Sequence, residues 1–284
     1  MCQFLVYKIA QMLALLLPLK RGYAMASFLA KAQFYISKKD RKVVLDNLRV
    51  ILNSADETEL RERAKETFVN FAKYLVDFFR FEKLDEEYLR NNVEVHGTEN
   101  LDEALKRGRG VIILAAHIGN YELGAAAVAM LGYPISVVAL NHKSAMVNKF
   151  FIEQRKAMKV SVIPLGAALK KCFYCLKNGE IVAILGDRDF SNRGIKINFF
   201  GKDAVMPKGV AVLSLRSGAA VIPTFLMRRE DDTFGLTFEK PISYSPTEDF
   251  DEDTRRFTEK CTAAIEEYVR RCPSQWFMFK RFWE

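Results

Sequence analysis

Three histidines supply all the imidazole in this chain of 284 residues: His96, His117 and His142. Imidazole titrates near neutrality, so it is the side chain best suited to take a proton from a weak nucleophile at pH 7. His117 stands apart from the other two by its surroundings. It lies in AAHIGNYELG, residues 115–124, directly after an apolar run, with Gly119 and Glu122 following. On one continuous helix, the five residues from His117 to Glu122 would turn about 500° and put the two on different faces. They converge only if His117 precedes the helix and Gly119 permits a sharp bend. A carboxylate could then hold one ring nitrogen and leave the other free as a base. An arbitrary histidine is more often a hydrogen-bonded structural residue. The preceding strand, the glycine and the carboxylate reverse that preference here.

A second cluster of charge follows another apolar run, in GDRDFSNRG, residues 186–194. Asp187 and Asp189 flank Arg188, and Arg193 follows. These are a satisfied ion pair, or groups that serve a ligand. Metal binding is the weaker reading, because no further ligands gather nearby in sequence. At a strand end facing His117, Asp187 rivals Glu122 as the carboxylate that orients the imidazole. Arg188 and Arg193 suit an anionic group on a substrate. Further on, Pro207 fits the first turn of a helix, and the helix start with Lys208 could receive a phosphate. Cys172 and Cys175 form a CxxC with no second ligand pair and no thioredoxin-like setting, so they are assigned to packing. The GRG at residues 108–110 lacks the dinucleotide-binding glycine spacing.

The elements that must position these groups read as alternating strands and helices from about Val93 onward. Short apolar runs at residues 111–115, 135–140, 161–164, 181–185 and 221–225 alternate with helical patterns at 99–107, 121–131, 145–158, 167–177 and 209–216. That order predicts an α/β fold with a mostly parallel central sheet flanked by helices. Ligands of such sheets collect at the carboxyl ends of the strands, where both charged loops lie. Residues 1–90 are expected to form a helical, membrane-associating region, with no linker setting it apart, and residues 91–284 the α/β core with an aromatic, basic tail.

Composition narrows the classes of function. Half the residues are hydrophobic and the net charge is +8, from 43 basic and 35 acidic residues. A sizeable core is expected, and general disorder is excluded. The basic balance favours nucleic acid, anionic lipid or phosphorylated substrates. Five cysteines, an odd number in a long chain, argue against a disulfide scaffold. Residues 4–19, FLVYKIAQMLALLLPL, are apolar but broken by Lys8, Gln11 and Pro18, with Lys20 and Arg21 beyond. An anchor lying in or shallowly crossing a membrane is preferred over a core helix. A signal peptide is less favoured, despite Ala24-Met25-Ala26, because no basic residue precedes the apolar stretch. Residues 38–52 and 57–81 are amphipathic helices whose Phe and Lys content also suits a lipid surface. The tail SQWFMFKRFWE combines Trp276, Phe277, Phe279, Phe282 and Trp283 with Lys280 and Arg281. It reads as a segment docked on the sheet or an aromatic belt at a lipid boundary. No nucleic-acid-binding module is recognisable.

Taken in order, these motifs resemble the lauroyl/myristoyl acyltransferases of lipid A biosynthesis, a bacterial branch of the lysophospholipid acyltransferase group. The matching features are His-x4-Glu at His117 and Glu122, the DRD of Asp187 to Asp189 with Arg193, FFGK…PKG from Phe199 to Gly209, and QW…KRF from Gln275 to Phe282. The resemblance implies a glycerol-phosphate-acyltransferase-like fold and an enzyme on the cytoplasmic face of the inner membrane. It would move a fatty acyl group from acyl carrier protein or acyl-CoA to a hydroxyl of an anionic lipid A precursor. The thioester is a co-substrate, and neither cofactor nor metal is implied. By similarity His117 and Glu122 occupy catalytic positions, and Arg155 looks like an arginine of the family. Related mannosyl-lipid acyltransferases are similar too, and there the acid opening the ERD-like motif partners the histidine; carried over, it is Asp187. Substrate-binding roles fall to Arg155, Arg188, Asp189, Arg193 and Lys208. The rival readings are the same chemistry on another glycolipid, mannosylated lipid or lysophospholipid, and a non-catalytic peripheral lipid-binding protein.

Overall fold

The computed structural model describes residues 2–190 and 193–283; Ser191 and Asn192 of the loop at 186–194 lie outside them. Four helices come first: α1 (Cys2–Leu16), α2 (Leu19–Ile36), α3 (Lys38–Leu52) and α4 (Glu57–Phe79). Pro18, which supplies no amide hydrogen, separates α1 from α2. Asp56 caps α4 by accepting from the amides of Thr58 and Glu59. Then follow α5 (Glu86–Asn92), β1 (Val93–His96), α6 (Thr98–Lys106), β2 (Val111–Ala115), α7 (Tyr121–Met130), β3 (Ile135–Ala139), α8 (Ala145–Ala157) and β4 (Ser161–Pro164). The chain continues through α9 (Ala168–Lys177), β5 (Ile181–Leu185), β6 (Ile195–Phe199), β7 (Lys202–Met206), α10 (Gly209–Ser217), β8 (Ala220–Arg228), β9 (Phe234–Phe238) and α11 (Phe250–Arg271).

Among the described residues, seven strands form one sheet in the order β1-β9-β8-β2-β5-β3-β4, and β6 and β7 form a separate antiparallel hairpin. Every neighbouring pair in the large sheet is parallel except β8 and β9. The expected α/β architecture with a mostly parallel sheet is the one observed. Strand β2, VIILA, is apolar throughout because helices cover both faces of a parallel sheet.

Two hydrophobic clusters fill those faces. One joins Phe34, Leu48 and Phe68 of the amino-terminal helices to Ile112 and Leu114 of β2, and on to Trp276 and Trp283 of the tail. The other joins Tyr23 and Phe78 to Val111, Ile113 and the alanines of α7. The change near residue 90 is therefore one of secondary structure, with packing continuous across it. Phe68, Phe78 and Phe79 of α4 are buried in these clusters, so the reading of α4 as a lipid-facing surface is corrected: its phenylalanines face the core. No helix among the described residues is long and apolar enough to cross a membrane. Pro207 does not open α10; Lys208 is the cap residue and Gly209 the first of the helix.

Candidate active site

Register brings the two charged loops together. In the β2–β5 pairing Ala115 is the partner of Leu185, so the two strands end side by side. His117 and Asp187 each lie two residues beyond their strand, and they meet there. The Nδ1 atom of His117 lies 2.7 Å from Oδ1 of Asp187, and the His117 amide donates to Oδ2 at 2.9 Å. The indole of Trp276 donates to the same Oδ2 at 2.9 Å. Asp187 is completely buried. Burial alone would push its carboxyl up, but the His117 charge and hydrogen bond, with Arg188 and Trp276, outweigh it and hold the group down at about 2. It is thus a fixed anion across the whole range in which an imidazole titrates. A neutral ring against it carries its proton on Nδ1, which leaves Nε2 unprotonated.

Glu122 sits elsewhere. Its carboxylate takes two hydrogen bonds from Arg155, to Oε2 from Nε at 2.9 Å and to Oε1 from Nη2 at 2.6 Å. Both side chains are nearly buried, and the fork ties α7 to α8. Burial works against the arginine charge, yet Glu122 more than offsets it and holds the guanidinium above its usual range. The bend that was to bring Glu122 to His117 does exist, but it delivers His117 to Asp187. Of the two rival carboxylates, Asp187 is the partner.

The loop carrying His117 is held from several sides. Gly119 has φ of 61°, and a Cβ there would lie 2.1 Å from the carbonyl oxygen of Leu226 in β8. Its amide donates to the Gln275 carbonyl at 3.0 Å, and the Phe277 amide donates to the His117 carbonyl at 2.8 Å. The tail therefore runs antiparallel to the loop as an added strand fragment. Asn120 caps α7 through the Leu123 amide and donates its side-chain N–H to Asp77 of α4 at 2.7 Å. Asp77 is buried and also accepts from Tyr23 and Arg228. Gly119→Ala is expected to cost about 2 kcal/mol or more, from the positive φ and the clash together. Urea denaturation checks this through a lower midpoint at unchanged slope; an unaltered midpoint would show that the bend tolerates a side chain.

These groups border a cavity of about 550 Å³ at the carboxyl ends of β2, β3 and β5. Its walls are largely apolar: Ile113, Ala125, Val128, Val137, Leu140 and Leu169 are among them. His117, Glu122, Arg155, Arg188, Asp189, Arg193 and Lys208 all line it, whereas Asp187 stands behind the imidazole. Asp189 accepts from the Gly194 amide at 2.9 Å, which shapes the loop. Arg188 donates through Nη2 to the Phe277 carbonyl at 2.5 Å, while its Nε is buried with no hydrogen-bond partner among the described residues. Tyr121 places its ring edgewise to His117, 5.3 Å between centroids, and its phenol is hydrogen-bonded to Tyr74 at 2.9 Å. Cys172 and Cys175 are buried in α9, as assigned, and burial pushes the Cys172 thiol up to about 12.

Sequence reasoning missed Trp276, Asn120, Asp77 and Arg228. Asp77 had a signal, a carboxylate inside the apolar run YLVDFF. Trp276 stood in the QW…KRF match and among the tail aromatics, but without a place in the site. The tail is docked rather than a lipid belt: Trp276, Phe277 and Trp283 are buried. Asn47 clamps it, donating to the carbonyls of Met278 and Lys280 and accepting from the Phe282 amide.

Comparison with known proteins agrees with this picture. Residues 2–284 match the family model described as bacterial lipid A biosynthesis acyltransferase. The chain is 25% identical over 221 residues to the phosphatidylinositol mannoside acyltransferase of Mycolicibacterium smegmatis, covering 76% of this chain and 71% of that one. It is 25% identical over 268 residues to the lipid A biosynthesis lauroyltransferase of Escherichia coli, covering 93% and 86%. Among solved structures, the 1-acyl-sn-glycerophosphate acyltransferase PlsC of Thermotoga maritima aligns with TM-score 0.37 and 18% identity, over 86% of this chain and 98% of that one. A buried strand end, a histidine on a fixed anion and an apolar chamber beside them accompany the family match over residues 2–284: the protein is an O-acyltransferase and belongs to the bacterial lipid A biosynthesis acyltransferase family.

Proposed function

We propose that the protein transfers a fatty acyl group from a thioester, carried by acyl carrier protein or coenzyme A, to a hydroxyl of a glycolipid of the lipid A precursor class. The observation that carries this reading is the His117–Asp187 pair at the wall of a largely apolar cavity. Nε2 of His117 removes the proton of the acceptor hydroxyl as its oxygen attacks the thioester carbonyl. Asp187 stabilises the imidazolium that results, in the manner of a triad acid. When the carbon–sulfur bond breaks, the thiolate takes that proton back from Nε2. Charge on the carbonyl oxygen needs a donor, and the unpartnered Nε of Arg188 is the candidate at the wall. Glu122 and Arg155 hold α7 and α8 in register around the chamber, while Arg193 and Lys208 meet the anionic groups of the acceptor.

The molecule works at a lipid surface, on the cytoplasmic face of the inner membrane. Support comes from apolar side chains left in solvent on α1 and α2, such as Leu16 and Phe28, both 72% exposed. Leu140, Leu169 and Phe190 are also exposed and at the same time line the cavity, which suits entry of a lipid from a bilayer. A mannosylated lipid is the second reading of the acceptor. It is favoured by the similarity to phosphatidylinositol mannoside acyltransferases, 25% identical over 221 residues in the Mycolicibacterium smegmatis protein. The test is transfer in vitro from both thioesters to lipid A precursors, mannosylated lipids and lysophospholipids. Ester formation on a glycolipid hydroxyl is expected, and failure with every donor and acceptor would refute the proposal. An unchanged lipid A profile in cells lacking the gene would remove lipid A alone as the acceptor.

A further inference from the structure

A second concavity lies at the far end of the β6–β7 hairpin and carries a strong charge. Its cations are Lys42 and Arg49 of α3, Lys202 of β7, Arg270 at the end of α11 and Arg281 of the tail, against one acid, Asp46. All five cations are exposed. Arg49 is paired with Asp46 and Glu57, and Arg270 with Glu266; among the described residues Lys42, Lys202 and Arg281 carry no ion pair. The groove is also built rather than incidental. Trp283 forms part of its wall and is pinned by its indole to the Phe199 carbonyl at 3.1 Å, and Arg270 lies over the Phe200 ring. The hairpin links this groove to the chamber. Arg193 and Lys208, two residues outside its open end, line the chamber, whereas Phe200 to Lys202 at its tip line the groove. Five paired residues at about 3.4 Å each set the two roughly 17 Å apart. Between them the outer face of the hairpin is open, with Lys196 beside Val205 and Asn198 beside Asp203.

We propose that this groove docks the acidic surface of an acyl carrier protein, whose pantetheine arm then lies along the outer face of β6–β7 and brings the thioester to His117. The proposal rests on the transfer reaction above and names the donor's docking surface. A bilayer is the poorer occupant, because none of the exposed large hydrophobic residues lies in the groove. Charges at such a rim act through encounter rate and depend on salt.

The experiment compares the triple variant Lys42→Glu, Lys202→Glu, Arg281→Glu with the unaltered protein and with Lys106→Glu as a control on α6. Donors are an acyl carrier protein thioester and the acyl pantetheine thioester, which has the arm and no carrier. The expected result is a drop of about ten- to hundredfold in kcat/KM for the carrier donor at low salt. The drop should narrow at high salt, with the pantetheine donor and the control unchanged. Equal kinetics of triple variant and unaltered protein on the carrier would overturn the docking site alone. So would an equal drop on both donors, or a loss of binding to anionic vesicles with carrier kinetics intact. No transfer by the unaltered protein from either donor would instead overturn the reaction itself, and the docking site with it.

Discussion

Replacing His117 by alanine is expected to lower transfer at least about a hundredfold, the usual contribution of a positioned general base. That corresponds to about 2.7 kcal/mol of transition-state stabilisation. The ring lies at the cavity wall and is not part of the hydrophobic clusters, so folding and binding to lipid vesicles should survive. The measurement is single-turnover transfer alongside vesicle co-sedimentation. Full activity in the variant would dispose of the mechanism. Loss of transfer with retained binding would rule out a protein that merely holds lipid.

Asp187→Asn is expected to be as damaging, on the order of 10³–10⁴-fold, by way of the proton on the ring. Oδ2 accepts from the His117 amide and the Trp276 indole, both of which can only donate. An asparagine must therefore turn its carbonyl to that pair and present its NH2 to Nδ1. The imidazole answers by carrying its proton on Nε2, where no base remains. Because shape is kept, the melting temperature should shift much less than the rate. Glu122→Gln makes the contrast: it breaks a buried fork with Arg155, so its cost falls on stability, at about 3–5 kcal/mol, as well as on activity. A mild effect at Asp187 beside a purely kinetic defect at Glu122 would reverse the assignment. The Asp187 carboxyl is held at about 2 against an ordinary 3.8. Its folded value lies below the unfolded one, so its stabilisation is complete above about pH 4 and is lost as pH falls through about 2.

Much of this was legible because the informative strands are local and apolar. The runs at 111–115, 161–164 and 181–185 coincide with β2, β4 and β5. A short apolar stretch next to a glycine, as at Gly110 and Gly186, leaves little freedom. Strands β1, β6, β7 and β9 escaped because VEVH and KDAVM are half polar, and β1 pairs with β9, about 140 residues away in sequence. The site shows the same division. His117 and the two aspartates announced themselves, but the choice between Glu122, five residues away, and Asp187, seventy away, is made by strand register, which one chain's sequence does not print. The tail shows it again. Its aromatic, basic composition fits a bilayer or a protein core equally, and Asn47 and Asp187 decide the matter from more than eighty residues away.

The bond between Nδ1 and Asp187 leaves His117 a single working nitrogen, and that has a consequence for the order of events. In the proposed transfer, the same atom collects hydrogen from the alcohol and surrenders it to the departing sulfur. With direct attack of the alcohol on the thioester, both partners then meet the same edge of the ring. Because the proposed transfer has the acceptor itself attack the thioester, it requires a ternary complex, in which the two lipidic guests are seated together before either product leaves; a trapped acylated form of the protein would refute it.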